Sequence, residues 1–148
     1  MTTSTEISLT GKIAFISGAS KGIGVSIAES FAAAGVDLAL TARNEQELEQ
    51  TAENTRKHGV RVWTRTAELS DADDVKALAG EVLEEFGRVD ILVNNAGIQG
   101  PMGRVEEVDP EAWMQVMQVN LGGCFYATRK VLPTMIARGY GKIISLSG

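Results

Sequence analysis

The segment Ser17-Gly18-Ala19-Ser20-Lys21-Gly22-Ile23-Gly24 constrains this chain more than any other, because of what flanks it. Before it, Lys12-Ile13-Ala14-Phe15-Ile16 reads as a short buried strand. After it, Ile23, Ile27 and Phe31 recur at helical spacing, and Gly35 supplies a stop. A glycine-rich turn between a strand and a helix N-terminus lets the backbone approach a ligand. The unpaired amides and the positive end of the helix dipole there meet negative charge. Glycines alone carry little weight; their place between strand and helix makes this turn a candidate diphosphate site.

The same strand-then-helix order continues. Val36 to Thr41 is a second apolar strand, and Asn44 opens a helix with Glu47 at the capping-box position and Gly59 at its end. Val60 to Thr66 alternates and is rich in β-branched residues, which makes it a third strand. Ser70 and Asp73 open the next helix, whose apolar face is Val75, Leu78, Val82 and Phe86, closed by Gly87. Val89 to Val93 is the fourth strand. Asp109 then caps a long helix with Pro110 at its first position, where a missing N–H costs nothing. Its expected buried stripe includes Trp113, Val116, Met117, Cys124 and Phe125, and Pro133 is expected to bend or break it. Lys142 to Leu146 makes a fifth strand.

Strands alternating with helices imply an α/β, doubly wound parallel sheet with right-handed crossovers. Ligands of such sheets bind at the carboxyl ends of the strands, near the point where strand order reverses. The loops that matter therefore hold Gly18 to Gly24, Ala42-Arg43, Glu68-Leu69 and Asn95-Ala96-Gly97. The 148 residues suit one domain, and the net charge of -5 argues against a nucleic-acid or acidic-membrane partner. The single cysteine, Cys124, excludes an internal disulfide and fits a reducing compartment. Met1 to Gly11 shows no signal-peptide pattern, and no apolar run approaches membrane-spanning length. The expectation is a soluble cytoplasmic protein, with no metal-ligand cluster and with His58 a helix-end surface residue.

Together these residues resemble the classical short-chain dehydrogenase/reductase family, from about Leu9 to the last residue. Gly18, Gly22 and Gly24 have the family's spacing, with Ser17 where threonine is more usual. Asn94-Asn95-Ala96-Gly97 matches its second signature and follows the fourth strand as it should. Asn120 stands at the place of the family's structural and catalytic asparagine. The resemblance implies a Rossmann domain over residues 1–148 whose Gly18, Ser20, Gly22, Ile23 and Gly24 hold a cofactor diphosphate. Asn95, Ala96 and Gly97 would line the ribose and nicotinamide side, Leu69 and Glu68 the adenine, and Asn120 would support a proton relay through water. Glu68 departs from the aspartate or asparagine usual after the third strand. The plainer readings are that the asparagines satisfy backbone groups in a tight loop and that Asn120 satisfies its own surroundings. The long helix would pack against its counterpart in a homo-oligomer.

Cofactor preference has a physical argument. NAD-preferring sites commonly place an acid at the end of the second strand to bind the ribose 2′-hydroxyl. Here that position is Ala42, followed by Arg43, with Lys21 in the glycine loop. Two cations and no carboxylate favour a 2′-phosphate, hence NADP(H) over NAD(H); the competing reading is two solvated surface charges.

The family's serine follows the fifth strand, and its Tyr-x-x-x-Lys pair comes further on. Ungapped alignment puts Gly148 at the serine position, with Ser147 and Ser145 as ordinary strand residues. Tyr126 and Tyr140 lack a lysine at the right offset. The sheet would also be incomplete at its C-terminal side, with Ile143-Ile144-Ser145-Leu146 an apolar edge. The expectation is therefore one part of an oxidoreductase that moves hydride between nicotinamide and an alcohol or ketone, lacking the catalytic and substrate-binding portion: either the N-terminal part of a cleaved or split enzyme completed by a second polypeptide, or a truncated sequence. The rival from another class is a non-catalytic dinucleotide-binding or regulatory module.

Overall fold

The apolar runs at Ile13–Ser17, Asp37–Ala42 and Ile91–Asn94 are largely buried in the middle of a parallel sheet, whereas Val62–Thr66 is mostly half-buried and Lys142–Ser145 exposed at its two edges. The computed structural model describes residues 8–147; the serine-position reading of Gly148 lies outside them, as does that of Met1 to Ile7. The strands are β1 (Ile13–Ser17), β2 (Asp37–Ala42), β3 (Val62–Thr66), β4 (Ile91–Asn94) and β5 (Lys142–Ser145). They form one parallel sheet in the order β3-β2-β1-β4-β5. Strand order reverses between β1 and β4, so the loops after these two strands flank the switch point. The expected strands differ from these by one or two residues at their ends.

Period-two alternation sorts the strand residues between two cores. Ile13, Phe15, Ala39 and Leu92 face helices α3 (Ala72–Phe86) and α5 (Gly123–Arg138), packing with Val75, Leu78, Val82, Val131 and Met135. Ala14, Ile16, Leu38, Leu40, Ile91 and Val93 face α1 (Gly22–Ala33) and α2 (Glu45–Arg56), packing with Ala28, Ala32 and Leu48. The buried Asp90 carboxylate accepts from the Ile13 amide at 2.9 Å and from Arg88 Nε at 3.1 Å, which pins the start of β1 to β4.

Two helix starts follow the sequence reading. Asn44 Oδ1 accepts from the Glu47 amide at 3.0 Å, and Asp109 Oδ2 accepts from the Ala112 amide at 2.9 Å with Pro110 first in α4 (Pro110–Met117). The start of α3 differs. Its cap is Asp71, which accepts from the amides of Asp73 and Asp74, while the Ser70 hydroxyl is turned onto the Glu68 carboxylate at 2.9 Å.

The long helix departs from expectation in two ways. It is not broken at Pro133: α5 runs through that residue to Arg138 and ends on Gly139 in the left-handed region. Pro133 and Arg129 are exposed, so water can satisfy the carbonyl that proline leaves without a donor. The irregularity lies earlier, in a π-helical turn over Gln118–Gly122 that joins α4 to α5. The buried stripe is Val119, Gly123, Ala127, Val131 and Met135, not the expected one. Trp113 and Phe125 are 51% and 56% exposed, and Val116, Met117 and Cys124 are half-buried. The wider turn adds a residue and rotates the helix face. Gly123 then lets α5 close on the β3–α3 loop, where a Cβ would stand 3.3 Å from the Leu69 carbonyl oxygen.

Candidate functional site

The site grows from the end of β1. The Ser17 hydroxyl accepts from the amides of Asn95 and Ala96 at 3.2 and 3.1 Å and donates to the Val93 carbonyl at 3.4 Å. Asn95 Nδ2 returns the contact, donating to the carbonyls of Ser17 and Gly18 at 3.2 and 3.1 Å. One serine and one asparagine thus stitch together the loops on either side of the switch point.

The three loop glycines are not equivalent. A Cβ on Gly18 would lie 2.8 Å from Asn95 Nδ2 and 2.9 Å from the Ala96 Cα, and one on Gly24 would lie 2.0 Å from the Gly18 oxygen. At Gly22 the space is open, and φ of +54° is the constraint. Helix α1 begins here with no side-chain cap and no acid in its first turn, whereas Asn44, Asp71 and Asp109 cap α2, α3 and α4. A cradle kept free of side chains, at a helix start kept free of competing acceptors, fits an anionic diphosphate.

A cleft of about 650 Å³ opens over these loops, a size that takes a small molecule or cofactor. Of the residues singled out in the sequence, Gly18, Ser20, Lys21, Ile23, Arg43, Glu68, Leu69, Asn95, Ala96 and Gly97 line it. Gly22, Gly24 and Asn120 do not. Gly24 shapes the turn from beneath. Ala42, already marked as the residue at the end of the second strand, and Asn44, Glu47, Ala67, Ile98 and Val119, which were not singled out as site residues, complete the lining.

Charge in the cleft corrects the expectation of two cations without a carboxylate. Glu47, at the capping-box position, does not reach back to the Asn44 backbone; its Oε1 lies 3.3 Å from Lys21 Nζ, inside the cleft lining. Its Oε2 is buried and, among the described residues, has no hydrogen-bond partner. Arg43 is exposed and, among the described residues, makes no ion pair. Glu68 turns its carboxylate onto its own loop, accepting from the Ser70 amide at 3.2 Å as well as from the hydroxyl. The Glu68 amide donates to Asp74 Oδ2 at 2.8 Å. That bond holds the Asp74 carboxyl below its ordinary pKa; burial opposes it, and Arg65 at 2.9 Å reinforces it.

Asn120 sits in the π-helical turn, with Oδ1 accepting from the Ile98 amide at 2.9 Å and Nδ2 donating to the Ile98 carbonyl at 3.0 Å. Its side-chain amide therefore fixes the loop after β4 from behind. Asn94, buried, reaches Thr128 and Ser145 and ties β4 to α5 and β5. Cys124 donates to the Asn120 carbonyl, and burial raises its thiol pKa, which leaves it a packing residue and a poor nucleophile. Among the described residues, no helix is long and apolar enough to cross a membrane.

Known proteins share this arrangement. A 3-oxoacyl-acyl-carrier-protein reductase, FabG of Staphylococcus aureus (strain Mu50), is 39% identical over 139 residues, 92% of this chain and 55% of that protein. A metagenomic short-chain oxidoreductase in complex with NADP superposes with a TM-score of 0.91 at 34% identity, covering 97% of this chain and 64% of that one. NAD+-bound xylitol dehydrogenase superposes at 0.86 with 29% identity, covering 92% and 52%. The chain spans about half the length of the curated relatives it matches. The likenesses include both nicotinamide dinucleotides, so they do not choose between them. The family model described as short chain dehydrogenase matches residues 12–148. By that match and by the stitched glycine loop at the switch point of a parallel sheet, the chain belongs to the short-chain dehydrogenase family.

Proposed function

We propose that this chain is the nucleotide-binding part of an oxidoreductase that moves hydride between a nicotinamide cofactor and an alcohol or ketone, with NADP(H) preferred over NAD(H). The observation that carries the reading is the cleft at the switch point, with the glycine turn at one wall and Lys21 and Arg43 on its lining. Gly18, Ser20, Ile23 and the start of α1 hold the diphosphate, with Gly22 and Gly24 shaping the turn. Lys21 and Arg43 attract the 2′-phosphate, Glu68 and Leu69 flank the adenine, and Asn95, Ala96 and Gly97 border the nicotinamide side. The cofactor, when bound, supplies or takes up the hydride. Asn120 holds Ile98 in place and, on this reading, supports a water in the proton relay.

The proton itself needs an acid near the reacting carbonyl. Neither Tyr126 nor Tyr140 lines the cleft; they lie beside Lys76 and Lys12 instead. We infer that a further segment supplies this acid and the substrate pocket. The edge position of β5 and its exposed Ile143 and Ile144 support this as the place where more sheet would add. A second surface, formed by Met114 on α4, Leu121 in the π-helical turn, and Phe125, Leu132 and Ile136 on α5, is exposed and apolar, which supports a homo-oligomer. The second reading is a dinucleotide-binding or regulatory module without catalysis; NADPH-dependent carbonyl reduction by the native protein would decide against it.

The test is a pair of titrations on the Lys21→Met/Arg43→Met variant. NADPH affinity is expected to fall at least about tenfold, with NADH changed less than about twofold, since two exposed cations each contribute on the order of 1 kcal/mol toward a doubly charged phosphate. Equal loss for both nucleotides would refute the preference, and no binding of either by the parent protein would refute the whole reading.

A further inference from the structure

We propose that Glu47 is a specificity-determining residue of the cleft, a carboxylate that weighs against a 2′-phosphate and narrows the margin of NADP(H) over NAD(H). This rests on the reading of the cleft as a dinucleotide site.

The side chain is free for such a role. The start of α2 is capped through the Glu47 backbone amide, which donates to Asn44 at 3.0 Å, so the helix does not depend on the carboxylate. The Lys21–Glu47 pair is a weak structural tie as well, because the lysine side chain is 76% exposed and such pairs contribute little to stability. The pair nonetheless lies on the cleft lining, beside Arg43 and Asn44 at the end of β2. That is where a dinucleotide's adenosine ribose would sit when the glycine turn holds its diphosphate.

The two oxygens of Glu47 act in the same direction. Oε1 at 3.3 Å partly neutralises the lysine that a 2′-phosphate would seek. Oε2 is buried and, among the described residues, has no hydrogen-bond donor, so no contact offsets its share of the negative charge. A ribose 2′-hydroxyl is uncharged and meets no repulsion from this carboxylate, whereas a 2′-phosphate brings further negative charge beside it. Lys21 and Arg43 thus favour the phosphorylated cofactor while Glu47 favours the other, and the cleft carries determinants of both kinds.

Glu47→Gln keeps the shape, keeps the backbone cap and removes the charge. The full chain and this variant are to be titrated with NADPH and with NADH, with thermal melts to show that the fold is retained. The expected result is NADPH bound about three- to tenfold more tightly by the variant, while NADH is unchanged or up to about threefold weaker. The change should shrink as salt rises from about 50 to 500 mM, because the effect is electrostatic at an open site. An unchanged NADPH-to-NADH ratio, or one that moves toward NADH, would overturn the role of Glu47 while leaving the dinucleotide site standing. Failure of the parent chain to bind either nucleotide would overturn both.

Discussion

Gly22 and Gly24 stand two residues apart in one turn and are glycine for different reasons. Gly24 is sterically required: its missing Cβ leaves room for the Gly18 carbonyl oxygen, 2.0 Å from where that carbon would be. Gly22 has open space and a left-handed backbone. Gly24→Ala is therefore expected to cost about 3 kcal/mol or more in urea unfolding and to disrupt the cleft. Gly22→Ala should cost only about 1 kcal/mol, the ordinary penalty for φ above zero. Equal losses would show that the close approach at Gly24 is not maintained in solution. The spacing of these glycines was plain in the sequence, but which one was packed against backbone was not. Gly24 meets the Gly18 carbonyl of its own turn, and Gly18 is in turn held against Asn95 and Ala96, more than seventy residues on, through Ser17. Glu47 was hidden for a related reason. A glutamate three residues after a helix cap ordinarily returns to the cap backbone, and only its proximity to Lys21 in the fold draws it into the cleft.

At the scale of elements, the β3–α3 corner shows how a loop of the cleft is held. Asp74, in the first turn of α3, accepts from the Glu68 amide and pairs with Arg65 on β3, so the corner is tied by one carboxylate. Its pKa is lowered in the folded state. The stability it adds is thus fully present above the ordinary carboxylate value of 3.8 and is lost as pH falls through the lower, folded value. Asp74→Asn should destabilise the protein by about 1 kcal/mol at neutral pH. That gap should close as the pH falls through the lower, folded value, where the native carboxylate is itself protonated. Urea melts from pH 7 to pH 2.5 measure this, and a gap independent of pH would assign the effect to shape, not charge.

The central strands β1, β2 and β4 were legible because burial on both faces of a parallel sheet leaves short, nearly continuous apolar runs, and β3 because it alternates and is rich in β-branched residues. The long helix was not, because periodicity presumes 3.6 residues per turn and the π-helical turn at Gln118–Gly122 breaks that phase. Size misled as well: the face that packs inward carries Gly123 and Ala127, while Trp113 and Phe125 point outward.

For the whole molecule, strand order decides where chemistry can occur. With β1 and β4 adjacent and their connections leaving in opposite directions across the sheet, the loops after them converge, and the cleft lies over that convergence. The sequence alone placed the glycine turn and Asn95 to Gly97 on strand ends. Their joining into one site required the order β3-β2-β1-β4-β5, which the alternation of elements left open. The central claim is that this cleft takes a dinucleotide, and amide chemical-shift mapping during an NADPH titration tests it most directly. Saturable shifts confined to Gly18 to Gly24, Arg43 to Glu47, Ala67 to Leu69 and Asn95 to Ile98 are predicted. Shifts centred elsewhere, or none with NADPH or NADH at millimolar concentration, would contradict it.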